Sequence, residues 1–105
     1  MGIIFTGRLP EIVKRTATAV NYTTQGESII AVTNTAITRT ITLADADKFD
    51  AKRIEIKDES GGASLTTPII VQPETGTIDG VSSVQIIANY GILRLYSDGV
   101  SWFSR

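Results

Sequence analysis

The chain contains no cysteine and no histidine. These absences remove disulfides, thiolate and imidazole metal ligands, and every catalytic arrangement built on a His base or a Cys nucleophile. No zinc site, other metal site, cofactor or catalytic residue is expected. Missing cysteine leaves the compartment open, because a disulfide-free domain folds in either redox setting. Long apolar runs are lacking too. The longest, Ile3 to Phe5 and Ile29 to Val32, fall far short of the roughly 20 residues that span a bilayer. No signal-peptide core is visible either, so membrane insertion is not expected. Charge of one sign is also missing: ten Lys and Arg stand against eleven Asp and Glu, without a block of like charge. Electrostatic binding of nucleic acid is therefore disfavoured.

What the chain has in abundance is β-branched residues. Ile, Val and Thr make up 36 of its 105 positions, and such side chains are stiff in helices but fit a pleated sheet. The reading is all-β: a small antiparallel β-sandwich, jelly-roll-like or barrel-like domain with short hairpins. The length suits one domain. Residues 1–16 lack sustained periodicity and read as an extended N-terminal arm; residues 17–105 read as a single β domain.

Expected strands run over residues 17–23, 28–33, 36–43, 53–57, 68–72, 83–89, 92–97 and 100–104, separated by turn residues. Gln25-Gly26 joins the first two. In the third, Ile37, Ile41 and Leu43 should face the core, with Thr38, Thr40 and Thr42 on a hydroxyl-rich outer face. Residues 44–51 are the only helix-compatible stretch and read as one turn or a connector. Asp58 to Ser64 reads as a polar loop. Asp79-Gly80-Val81-Ser82 recurs as Asp98-Gly99-Val100-Ser101, and Asp-Gly supplies the positive φ of tight hairpin turns. Both Asp-Gly turns are expected at one end of the sheet, with Asn89-Tyr90-Gly91 turning between them.

The last strands carry apolar groups on both faces: Val84 and Ile86 against Ile87, Leu93 and Leu95 against Ile92 and Tyr96, Val100 and Trp102 against Phe103. A two-layer domain covers one face of a strand, so a symmetric oligomer is the simplest cover for the other. Ile86, Leu93, Leu95, Tyr96, Trp102 and Phe103 are thus candidates for the core or an oligomer interface. A thicker sandwich with loops over these strands is the alternative.

Several chemical patterns have plainer explanations. Asp45, Asp47 and Asp50 suggest calcium, but an EF-hand loop counted from Asp45 needs Gly and Glu where Asp50 and Ile56 stand; a solvated connector is the better reading. Gly61-Gly62 lacks the phosphate-loop pattern. No two carboxylates stand out as a glycosidase pair. Met1, Gly2 and Thr6 fit a myristoylation pattern, and Asn21-Tyr22-Thr23 a glycosylation sequon, both short enough to arise by chance. Trp102, Phe103, Tyr96 and Tyr90 suggest a sugar-stacking platform, against which core or interface packing is favoured.

The segment from Arg53 to Ala63, Arg-Ile-Glu-Ile-Lys-Asp-Glu-Ser-Gly-Gly-Ala, resembles a motif common in phage tail-fibre and head-decoration proteins. Around it, Thr40-Ile41-Thr42-Leu43, Ile78-Asp79-Gly80, Asn89-Tyr90-Gly91 and the stretch from Leu95 to Phe103 resemble further parts of that pattern, in the same order. The resemblance covers residues 23–105. It implies a β-rich, usually trimeric, non-enzymatic module on the outer surface of the virion. Long fibres carry the module after hundreds of residues. Only about twenty precede it here, which favours a capsid decoration (cement) protein or head fibre. The expected partners are two further copies of the chain and the major capsid protein or another virion protein. Ile3, Ile4, Phe5 and Arg8 of the arm are the expected capsid contact. The alternative is a tail-fibre tip or adaptor that binds a host receptor or surface glycan.

Overall fold

The computed structural model describes residues 13–15 and 20–105; the candidate contacts Ile3, Ile4, Phe5 and Arg8 lie outside the described residues. Among the described residues nine strands follow one another, with a single 3-10 turn: β1 (Val13–Arg15), β2 (Asn21–Thr23), β3 (Ile29–Val32), β4 (Arg39–Leu43), the 3-10 turn Asp45–Asp47, β5 (Arg53–Asp58), β6 (Ile69–Pro73), β7 (Val84–Ile86), β8 (Ile92–Ser97) and β9 (Trp102–Ser104). They form two sheets. The first has the order β1-β3-β5-β8-β9 and the second β2-β4-β6-β7.

The chain alternates between these sheets on every pass from β1 to β6, and each pass adds a strand parallel to the one before. Val13 sits opposite Ile29, and Ile29 opposite Glu55. In the second sheet Asn21 sits opposite Thr40, and Thr40 opposite Ile70. This is solenoid-like winding, in which each coil contacts the next. From β7 the direction reverses. β7 pairs antiparallel with β6, β8 with β5, and β9 with β8, so the last three strands close the coils.

The expected antiparallel sandwich is therefore corrected to two mixed sheets of an all-β protein. A strand buried on one face alternates in the same way whether its neighbour runs parallel or antiparallel, and a turn between sheets is as short as a hairpin. Gln25-Gly26 shows this: it leads from β2 in one sheet to β3 in the other, which are not paired. Val13–Arg15, within the expected arm, pair with β3.

The core lies between the sheets. Ile30, Val32, Ile54, Ile56, Leu95 and Trp102 come from the first, Ile41, Leu43, Ile69, Val71 and Ile86 from the second, and Ala63 and Ile78 from connections. Period-two alternation is clean in β4 and β5, where every second residue is buried. In β4 the buried set is Arg39, Ile41 and Leu43, while Ile37 is half exposed. Ile37 precedes the strand, so the alternation does not bind it. Arg39 is taken in because its guanidinium Nε donates to the Asn34 carbonyl at 2.7 Å, which removes part of the penalty of burying a charge.

The two Asp-Gly turns differ. Asp79 (φ 49°) and Gly80 (φ 83°) form a tight reversal in which Ile78 and Val81 exchange backbone hydrogen bonds of 2.8 and 2.9 Å, the pairing expected of a turn with two positive φ angles. At the second, the Asp98 carboxylate instead accepts from the N–H groups of Val100 and Ser101. Asp79 also accepts from Ser104 N–H at 3.0 Å. Its turn thus lies by the end of β9, whereas Asp98-Gly99 precedes that strand. The expectation that both share one end is not met.

Candidate functional site

The most heavily engaged polar group is the Asp58 carboxylate, at the last residue of β5 and fully buried. Oδ1 accepts from Ser60 N–H at 3.0 Å, the Ser60 hydroxyl at 2.6 Å and Gly61 N–H at 3.1 Å. Oδ2 accepts from Ala63 N–H at 3.0 Å and Tyr90 N–H at 3.1 Å. Burial opposes the charge, but the bonds from Ser60, Ala63, Tyr90 and Gly61 outweigh it and hold the carboxyl below its usual range. Gly61 takes φ 77°, and a Cβ there would lie 2.5 Å from the Tyr90 ring, so the ring closes over a residue without a side chain. The Asn89 amide, oriented to donate, reaches the Ala63 carbonyl at 2.9 Å. Lys57 donates to the Tyr90 carbonyl. The stretch expected as a polar loop is thus organised by its own first residue, which belongs to the strand.

A second polar hub joins the β2–β3 corner to the 3-10 turn. Asp47 accepts from the Thr24 hydroxyl at 2.6 Å and Gly26 N–H at 3.0 Å, while Thr24 accepts from Ala44 N–H at 2.9 Å. Glu27 accepts from Gln25 N–H and the Tyr22 hydroxyl. Lys52 donates to the carbonyls of Gly26 and Glu27 at 3.2 and 2.9 Å. Burial, then the bond to Glu27 and the charges of Glu27 and Asp47, push the Tyr22 phenol well above its usual range. The reading of Asp45, Asp47 and Asp50 as a solvated connector therefore fails for Asp47, which is buried. The three carboxylates do not converge: Asp45 accepts from Thr75 and lies beside Lys48, and Asp50 is exposed.

The third feature is an open cleft of about 450 Å³ at the end of the first sheet, lined by Asp50, Ala51, Arg53, Tyr96, Ser97, Asp98 and Arg105. Arg53, Tyr96 and Phe103 stand in one row across β5, β8 and β9, and the Tyr96 and Phe103 rings pack at 5.6 Å.

The residues singled out in the sequence separate by face. Ile86, Leu95 and Trp102 are in the core, and Leu93 packs against it. Tyr96 is 40% exposed on the opposite face, with Phe103 half-buried beside it. The four aromatics do not form one platform: Trp102 is fully buried, and Tyr90 lies at the other end of β8 from Tyr96. Sequence reasoning missed Asp58, Thr24, Glu27, Asp47 and Arg39 as structural groups. For Asp58 a signal existed, since an Asp followed by Ser-Gly-Gly has N–H donors within reach of its side chain.

Fold and hubs together define a class: a two-sheet β-coil scaffold, closed by antiparallel strands and braced by buried carboxylates. No family model matches the chain, and no curated protein matches it.

Proposed function

We propose that this chain is a bacteriophage virion structural protein, a capsid decoration or short head-fibre protein on the outer surface of the particle, acting through assembly rather than catalysis. The observation that carries the reading is that the segments resembling the phage pattern interlock with one another. Asp58 of segment 53–63 accepts from Tyr90 N–H of segment 89–91, and donates its own N–H to Gly91 at 2.9 Å. Asp79 of segment 78–80 donates to the Trp102 carbonyl of segment 95–103 at 2.9 Å and accepts from Ser104 just beyond it. Segments spread over half the chain form one braced unit, which suits a module that acts through a rigid shape.

In this reading the protein is a homotrimer. Ile87, Tyr90 and Ile92 are 44%, 61% and 39% exposed and supply apolar surface for contact between copies. Residues 1–16 attach to the major capsid protein through Ile3, Ile4, Phe5 and Arg8. The deciding experiment is quantitative mass spectrometry of purified virions of the phage that carries the gene. Hundreds of copies per particle are expected; a handful places the protein at a fibre tip, and absence from the particle overturns the reading.

A further inference from the structure

The geometry points to the cleft between Arg53 and Tyr96 as a binding site for a neutral saccharide, with Tyr96 as the stacking surface and Asp50, Arg53, Asp98 and Arg105 as the hydroxyl-reading groups. Its volume of about 450 Å³ falls within the roughly 300–1,000 Å³ common for small-molecule sites. Among the described residues, the Arg53 guanidinium, the Asp50 carboxylate and the Tyr96 hydroxyl have no hydrogen-bond or ion-pair partner, whereas Arg105 is shared with Glu55 at 3.5 Å. The first three contrast with Asp58 and Glu27, whose carboxylate oxygens are all engaged within the fold. Asp98 spends one oxygen, Oδ1, on Val100 and Ser101.

These groups suit a pyranose. A sugar ring offers an apolar C–H face, which packs on an aromatic face, and hydroxyls that donate and accept at once, which pair with a carboxylate on one side and a guanidinium on the other. Tyr96 packs against Phe103 beside it on the neighbouring strand, and Arg53 is its direct neighbour on the other side. Two arginines against two aspartates leave the lining without net charge, so an uncharged ligand is favoured over an acidic or basic one. The floor is fixed in advance. Ala51 N–H donates to the Ser97 carbonyl and Ser97 N–H to the Lys52 carbonyl, both at 2.9 Å. Ala51 is held there at φ 68°, a conformation that is unfavourable for a residue with a side chain and concentrates at functional positions.

The test is saturation-transfer NMR of the full chain with glucose, galactose, mannose, N-acetylglucosamine and glucuronate at millimolar concentration. At least one neutral sugar should show transfer to its ring protons. Tyr96→Ala and Arg53→Ala should each weaken it at least tenfold, Tyr96→Phe should retain most of it, and Gln85→Ala, exposed on the other sheet, should not change it. All three positions are exposed, so the variants keep the core intact. Transfer to none of the neutral sugars, unchanged binding in Tyr96→Ala, or tighter binding of glucuronate than of every neutral sugar overturns the assignment. The site is complete within one chain, so these outcomes are independent of copy number on the virion.

Discussion

Replacing Asp58 with Asn changes one oxygen to an amide, and the geometry leaves that amide no good orientation. With its nitrogen at the Oδ2 position it faces the N–H groups of Ala63 and Tyr90; flipped, it faces those of Ser60 and Gly61. Either way two backbone donors meet a donor. Each buried group left without its partner costs about 1–3 kcal/mol, so Asp58→Asn should destabilise the fold by about 2–5 kcal/mol, a large part of the roughly 5–15 kcal/mol that holds a domain together. Thermal unfolding followed by circular dichroism at neutral pH should show a midpoint lower by about 10–25 °C. Acid supplies an independent check. The Asp58 carboxyl is depressed in the folded protein, so its contribution is fully present above the ordinary aspartate value of about 3.9 and is lost as pH falls through the lower folded value. The gap between wild type and Asp58→Asn should be constant at neutral pH and narrow below about pH 4. An unchanged midpoint for the variant at neutral pH refutes the view that this carboxylate organises the loop.

Trp102→Ala should cost about 3–5 kcal/mol in urea unfolding, the usual result of emptying a large buried aromatic site. Trp102→Phe should cost less, because the buried indole Nε1 has no partner to lose among the described residues; equal costs contradict this. Tyr22 is held neutral in the folded state, so its contribution is present below the unfolded value of 10.0 and is lost as pH rises through the higher folded value. Wild type should therefore lose stability above about pH 10 more steeply than Tyr22→Phe, and parallel curves rule this out. Light scattering at micromolar concentration should give a trimer, and a stable monomer removes the case for covering Ile87, Tyr90 and Ile92 with another copy. Deleting residues 2–9 should leave a folded trimer that no longer attaches to capsids; unchanged attachment moves the contact to the sheets.

Local pattern was enough to locate most strands. β4, β5 and β8 are legible because β-branched and apolar residues alternate with polar ones and turn residues bound them, and both signals are carried by neighbours in sequence. The brief helical connector at Asp45–Asp47 was legible for the same reason. Sheet membership and direction were not, because the alternation of a half-buried strand is silent about which strand lies beside it. β3 and β5 become parallel neighbours only after the chain has crossed to the other sheet and back. The fate of single polar residues was hidden for a related reason: whether a carboxylate such as Asp58 can be buried depends on donors from elsewhere, and Tyr90 N–H comes from 32 residues away. Composition and alternation thus determined an all-β chain and the positions of most strands. The winding between two sheets, the burial of Arg39 and Asp58, and the separation of Trp102 in the core from Tyr96 on the surface were decided by the tertiary structure, since each depends on contacts between residues far apart in the chain.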